Sequence, residues 1–348
     1  MVDSSALTPA ASGSRHRWWQ TLLAIAISGG FLFWALDGIE FGKVIEELKR
    51  VHLGLLLACV AIATSTFVLR IFRWKILLRA VDGSALPNGP LWHSIAIGFM
   101  ANNVLPFRAG ELLRCIAITR LTRTRLTSAI SSIAAERLFD GVALVLILTT
   151  GLMLSGLPAS AAVKGVRVSH IALIAGVTFV AGLVLAGLVV AFPKPAERLI
   201  LKLVPFPRLA DRLVAMIEGI VHGLSVVRSP FRVLAVLAWS VLIWLVSVIS
   251  FFVAFKAFGI PINFAGAMLM QGLLAFAISV PTAPGFVGVF EGAIKATLLL
   301  YGLSDNVAVT YALVYHATTF VPITLLGAYS LFRTGLGLKN LRQEASSA

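Results

Sequence analysis

Charge is scarce in this chain, and acidic charge scarcest: 15 Asp and Glu stand against 29 Lys and Arg in 348 residues, and charged residues make up only 13%. A soluble domain carries about a quarter charged residues. With 59% hydrophobic residues and a mean hydropathy of +0.95, the chain holds more apolar surface than a water-soluble fold of its length can bury, which leaves a polytopic membrane protein. Cysteine is almost absent: Cys59 lies in an apolar run and Cys115 stands apart from it. Neither spacing nor context offers a disulfide or metal site, so both are expected to pack. No nucleotide-binding glycine loop and no His–Asp pair at catalytic spacing occurs, so no catalytic residue, metal or cofactor is expected and the chain reads as a non-enzyme. The net charge of +14 is compatible with nucleic acid, yet the basic residues fall in short clusters between apolar runs without an aromatic-basic module. Segments facing an anionic leaflet account for them better.

What is present is a series of apolar runs. Residues 1–14, rich in Ser, Ala and Thr, are expected to be disordered. Trp18 to Leu36 follows Arg15 and Arg17 and reads as an uncleaved first helix. Further crossings are expected at Val51–Phe72, Ile130–Ser155, Ser169–Phe192, Phe231–Phe258 and Val307–Phe332, each near the roughly 20 residues that spanning requires. Lys and Arg concentrate at the N-terminus, in 70–79, in 108–125, in the central loop 193–230 and in the tail 336–348. Short cytoplasmic loops retain such residues, which places both termini in the cytoplasm, for a bacterial inner membrane.

That assignment decides how two interrupted segments run. If Leu91–Phe107 crossed fully, the basic stretches on either side of it would face opposite compartments; it must therefore turn back. The same parity makes Ile262–Leu303 turn back from the other side. The expected fold is all-α, with about six full transmembrane helices plus two re-entrant helical hairpins in an inverted-topology repeat. Residues 15–335 form one integral membrane domain, with halves at about 18–155 and 169–332. Such broken backbone is tolerated in a membrane where protein or a water-filled cavity satisfies it, and paired breaks mark transport sites; the alternative is two turns outside the membrane between ordinary helices. Two amphipathic stretches, one through Phe41, Val44, Ile45 and Leu48 and one from Leu209 to Leu224, are expected to lie along the bilayer surface.

Ionisable groups in the apolar zone are expensive and face the interior. After the first break come Arg108, Glu111 and Arg114: an Arg fork suits a lipid phosphate, or it pairs with Glu111 and pins the hairpin. Glu136, Arg137 and Asp140 form a second cluster, with the two acids on one helical face. Arg137 can pair with Asp140 or with an acid of the opposing hairpin, and the cluster either binds a cationic headgroup, relays protons or holds helices together. In the second break, the spacing of Glu291 and Lys295 predicts a direct pair. Pro281 and Pro284 end a helix, while Gly285 and Gly288 allow close backbone approach or positive φ. The N–H groups of a helix beginning after Gly285 would form an anion site. His316, beside Tyr315, reads as a titrating group or a hydrogen-bonded bundle residue.

The strings Asn-Asn-Val-Leu-Pro-Phe-Arg-Ala-Gly-Glu-Leu-Leu-Arg (102–114), Glu-Arg-Leu-Phe-Asp (136–140) and Pro-Thr-Ala-Pro-Gly-Phe-Val-Gly-Val-Phe-Glu (281–291), with the stretch from Arg70 to Arg79, resemble the signatures of the lysylphosphatidylglycerol synthase membrane-region family. The resemblance runs from about residue 18 to 335. It implies a flippase-like domain that moves a polar or charged-headgroup lipid (phospholipid, hopanoid or polyprenyl-linked) between leaflets. The chain stops without the aminoacyl transferase domain of the multiple peptide resistance factor, so lysyl-lipid synthesis is not expected. By motif position the implied cavity residues are Arg70, Arg73, Asn103, Arg108, Glu111, Arg114, Glu136, Arg137, Asp140, Pro284, Gly285, Gly288, Glu291 and Lys295. Implied partners are membrane lipids, as substrate and as anionic inner leaflet, with a homo-oligomer and a separate lipid-synthesising enzyme as further candidates. A membrane enzyme of lipid or glycan modification and a regulatory scaffold are the competing functions.

Overall fold

The computed structural model describes residues 39–105, 108–157, 192–203, 229–279 and 283–337, together with scattered positions in 26–36 and 162–181 and residues 214 and 341. The described chain is helical apart from a minimal antiparallel hairpin, β1 (Ala162–Val163) and β2 (Val166–Arg167). Its helices are α1 (Phe41–Arg50), α2 (Leu53–Leu77), α3 (Asn88–Val104), α4 (Gly110–Leu121), α5 (Leu126–Leu154), α6 (Pro193–Leu203), α7 (Pro230–Ala257), α8 (Phe264–Ala277), α9 (Val289–Leu299) and α10 (Asp305–Thr334).

Four of these, α2, α5, α7 and α10, are long and apolar enough to cross a membrane. Their most apolar stretches are only about a third buried within the protein. The remaining surface, including Leu57, Leu146 and Phe332, is exposed hydrocarbon that water would not tolerate in such quantity; lipid is the medium that accepts it. The expected crossings at 18–36 and 169–192, the disordered N-terminus and the amphipathic stretch 209–224 lie wholly or largely outside the described residues. Within the expected central loop the structure places α6, an amphipathic helix with Pro193 at its start. α1 matches the other amphipathic stretch, with Val44 buried and Ile45 and Leu48 exposed.

Local chemistry sets the helix ends. The His52 ring accepts the Leu55 N–H at the start of α2, Asn263 accepts the Gly266 N–H at 2.8 Å to start α8, and Pro230 opens α7 where its missing N–H costs nothing. Gly335 closes α10 in the left-handed region, the usual chemistry of a helix stop. In the turn between α2 and α3, hydrogen bonds from the Ser84 hydroxyl first and its backbone N–H second hold the Asp82 carboxyl below the ordinary range.

Pairing then follows a regular scheme. α2 packs along α7; α3 and α4 form one hairpin, α8 and α9 a second; α3 lies along α10, and α8 lies along α5. Contacts at the turns fix which ends are shared. The Val81 N–H donates to the Arg123 carbonyl at 2.9 Å, so the α2–α3 and α4–α5 turns lie at one end of the bundle. At the other, the His52 N–H donates to the Ala257 carbonyl and Asn263 to the Leu154 carbonyl, bringing the starts of α2 and α8 beside the ends of α7 and α5. The hairpins thus enter from opposite ends. An aromatic stack of Phe255, Tyr311, Tyr315 and Phe251 fills the core of the second half, and Phe67, Trp74, Leu91 and Ile95 fill that of the first.

The arms of the first hairpin touch through backbone. A Cβ on Gly110 would stand 1.9 Å from the Gly98 carbonyl oxygen, so only glycine allows α3 and α4 to approach this closely. In the second hairpin α8 ends at Ala277, before the prolines, and a 3-10 turn over Pro284–Phe286 leads to α9. Gly285 and Gly288 there have φ of 68° and 87°, as the glycine pattern predicted.

Candidate functional site

The two hairpin tips meet in mid-molecule. Asn103, at the end of α3, donates to the Thr324 hydroxyl at 2.9 Å and to the Phe320 carbonyl on α10. Its neighbour Asn102 turns the other way and accepts the Gly110 N–H at 2.9 Å, satisfying the exposed start of α4. Arg108 reaches across to the second hairpin and donates to the Ile278 carbonyl at 2.7 Å. That carbonyl belongs to the frayed end of α8, where orphan acceptors need donors. Gly285 packs against Phe320 and the Asn103 carbonyl.

Beside this junction lies a cavity of about 590 Å³, with Arg70, Asn103, Arg108, Glu111, Arg114, Arg137 and Asp140 in its wall, alongside Phe99, Trp244, Ile278 and Phe286. Both hairpins and α2, α5 and α7 contribute to it. This volume falls in the range of small-molecule sites, about 300–1,000 Å³.

A buried ionic network backs the wall. On α2, Arg70, Arg73 and Trp74 share one helical face and are all buried; on α5, Glu136 and Asp140 share another, one turn apart, both buried. Arg114 grips Glu136 bidentately at 2.8 and 3.0 Å, with its guanidinium 3.6 Å from the centre of the Trp74 ring. Trp74 is itself held by donating to Ser132 at 2.8 Å. Arg73 bonds Asp140, lies 3.2 Å from Glu136 and donates to Ser240 at 2.8 Å. Trp244 donates to Asp140 at 3.1 Å. Arg137 sits 3.4 Å from Glu111 and 3.9 Å from Asp140. Pairing of this kind offsets the cost of holding charge in a low-dielectric interior.

Several expectations change. Arg114 pairs with Glu136, not Glu111, because α4 lies against α5 and turns Arg114 inward while Glu111 stays at the half-exposed rim with Arg137. Glu291 does not pair with Lys295. Its Oε2 accepts the Gly288 N–H at 2.6 Å, capping α9, and its Oε1 bonds His316 Nδ1. The capping geometry points Glu291 back toward the helix start. Lys295, one turn on, points to the opposite end and pairs with Asp305 at 2.7 Å and the Ala35 carbonyl at 3.1 Å. The anion site expected at this helix start is therefore filled by the protein's own carboxylate. Arg73 and Glu136 sit behind the cavity wall, Pro284, Gly285 and Gly288 form the tip beside it, and Glu291 and Lys295 lie outside the lining. Cys59 and Cys115 are buried free thiols. Ser240 and Trp244 were not legible beforehand: a serine and a tryptophan in an apolar run carry no signal of the acid they will face.

Fold and site together define a multi-pass, all-helical membrane protein whose opposed hairpin tips converge on an arginine-rich cavity. The chain belongs to the family described as the lysylphosphatidylglycerol synthase TM region, whose sequence model matches residues 21–327. It is similar to two archaeal proteins named UPF0104 membrane protein from Methanothermobacter thermautotrophicus. One is 28% identical over 67% of this chain and 70% of that protein; the other is 23% identical over 83% and 88%. It is also 25% identical to glycosyltransferase AglD of Haloferax volcanii, over 94% of this chain but 58% of that protein.

Proposed function

We propose that the protein carries a polar or charged-headgroup lipid across the cytoplasmic membrane, sheltering the headgroup in the mid-molecule cavity while the acyl chains stay in lipid. The observation that carries this reading is the meeting of two hairpins, entered from opposite ends, over a charged cavity, with Arg108 of one tip bonded to the Ile278 carbonyl of the other. Irregular backbone at membrane depth belongs where it lines a cavity. A charged cavity wall substitutes for headgroup hydration, and the tip glycines allow the hairpins to part.

An inverted repeat is part of the proposal. α2, α3, α4 and α5 correspond to α7, α8, α9 and α10: each half's first hairpin arm lies along the last long helix of the other half, and α2 pairs with its counterpart α7. Side chains follow the same correspondence. Glu111 of α4 faces Arg137 and Glu291 of α9 faces His316, and each base lies eleven residues into its helix, counted from Leu126 and from Asp305. Such repeats are the architecture of alternating access around a midplane site. In this reading six crossings and two re-entrant hairpins place both termini in the cytoplasm.

The competing reading, a membrane enzyme of glycan modification, draws on the name of the AglD relative, which is much longer than its matched part. We favour transport because, among the described residues, each acid of the network is engaged by an arginine and none is placed as a free base beside the cavity. The test is reconstitution of the purified protein in vesicles with acyl-labelled lipids, followed by dithionite quenching. Protein-dependent exposure of inner-leaflet label, lost in Arg137→Ala, supports transport; wild-type protein that moves no lipid in a broad headgroup panel overturns it.

A further inference from the structure

We infer that the cavity is an anion site, built for the phosphoryl group of a lipid headgroup, with Arg70 and Arg108 as its contacts. The inference rests on the transport reading for its occupant being a lipid, while the anion chemistry stands on the charges themselves.

Five guanidiniums, Arg70, Arg73, Arg108, Arg114 and Arg137, lie in or directly behind the wall, against three carboxylates, Glu111, Glu136 and Asp140. All three carboxylates are engaged: Glu136 by Arg114 and Arg73, Asp140 by Arg73, Glu111 by Arg137. Two arginines are left over. Arg70 is 6% exposed, and its Nε has no hydrogen-bond partner. It forms no ion pair or hydrogen bond among the described residues. Its guanidinium rests 4.9 Å from the Phe99 ring centre and 5.9 Å from that of Trp244, both of them cavity residues. Arg108 spends one N–H on the Ile278 carbonyl, and its guanidinium lies 5.9 Å from the Phe286 ring centre.

Arg70 is attracted by Asp140 and Glu136 but hydrogen-bonds neither; a buried guanidinium bonded to no anion is costly, and a ligand that brings the anion to its free N–H groups relieves that cost. Aromatic faces hold the planar fork in place while leaving its N–H edges free. Two uncompensated positive charges match a phosphate mono- or diester, which accepts bidentate Arg bonds. A headgroup presenting only a cation would meet repulsion from both. Arg70 stands on α2 and Arg108 at the tip of the first hairpin, joined to the second. One bound phosphoryl group therefore touches a fixed helix and the junction between the hairpins, so its arrival and departure bear on whether the tips stay together.

The test uses the full chain in detergent and in vesicles. Native mass spectrometry would compare phosphatidic acid, phosphatidylglycerol, phosphatidylcholine and diacylglycerol, with inorganic phosphate as competitor. Wild type is set against Arg70→Gln, Arg108→Gln and the surface control Arg333→Gln; acyl-labelled forms of the same lipids enter the dithionite assay. The expected result is preference for the phosphate-bearing lipids over diacylglycerol, strongest for phosphatidic acid and phosphatidylglycerol, which bring no cation for the arginines to repel. Each cavity substitution should weaken binding of the anionic lipids at least about tenfold, the loss of one charge-assisted bond, with Arg333→Gln unchanged. Competition by millimolar phosphate would show that the phosphoryl group alone suffices for binding; its absence would show that the acyl chains are also needed, and either supports the site. Diacylglycerol binding as well as phosphatidic acid, or folded Arg70→Gln and Arg108→Gln proteins binding like wild type, overturns the inference. Selective, Arg70-dependent binding without any transport would sink the transport reading and leave the anion site standing. Transport indifferent to headgroup charge and to both substitutions would do the reverse.

Discussion

Glu136→Gln separates structural arginines from the two left over. Glu136 is fully buried and accepts from Arg114 at 2.8 and 3.0 Å, with Arg73 at 3.2 Å. Neutralising it strips Arg114 of its acid and leaves Arg73 with Asp140 alone. Breaking a buried ion pair from one side costs about 3–5 kcal/mol because the partner stays charged and desolvated. At about 2 °C per kcal/mol, the lower slope for larger proteins, the midpoint of thermal unfolding should fall by roughly 6–10 °C. Arg70→Gln, equally deep but without an acid, loses only cation–π contact worth about 1 kcal/mol and removes an unpaired charge, so its midpoint should move by less than about 2 °C. The double variant Arg114→Gln/Glu136→Gln should regain at least half of the loss, since no orphaned guanidinium remains on α4. The assay is heating in detergent followed by size-exclusion recovery of folded protein. A Glu136→Gln midpoint within about 2 °C of wild type, or an Arg70→Gln loss of equal size, would refute the division of the network.

Other features yield separate expectations. Gly110→Ala drives a methyl into the Gly98 carbonyl and should cost about 1–3 kcal/mol, seen as a lowered unfolding midpoint; an unchanged midpoint would mean the arms do not meet there. In a background lacking Cys59 and Cys115, Asp82→Cys and Arg123→Cys should react with an impermeant thiol reagent from one side of the membrane and Asn306→Cys from the other. Labelling of the first two from opposite sides would break the hairpin topology. Glu291→Gln removes the charge that caps α9 and bonds His316. It should cost about 1–2 kcal/mol and speed hydrogen exchange at Gly288 and the first turn of α9, whereas Lys295→Met should leave that exchange untouched.

How far the chain could be read in advance depended on the range of each interaction. Helix positions were legible because apolar runs of spanning length, a Pro at a helix start and an Asn or Gly at an end act within a few residues: α2, α5, α7 and α10 fall close to the expected crossings. The hairpins α3–α4 and α8–α9 agree with the turning back expected from loop charge, since the distribution of Lys and Arg is a property of the chain in order; which side of the membrane each enters from belongs to the proposal. The Glu291–Lys295 pair failed for the opposite reason. Spacing along a helix shows that two side chains can meet, but the Gly288 N–H and His316 compete for the same carboxylate, and only packing of α9 on α10 brings them there.

Partner choice in the network has the same character. Arg73, Arg114, Glu136 and Asp140 were each identifiable as costly interior charges. Which arginine takes which acid was decided when α2, α4 and α5 came together, with Ser240 and Trp244 of α7 completing the cluster across long sequence separations. The order and kind of the elements were thus determined by local preference and by the membrane's demand that backbone and charge be satisfied. The leftover charge of Arg70 and Arg108, on which the inferred anion site rests, was decided by the tertiary structure alone, because being unpaired depends on where every acid in the neighbourhood has already gone.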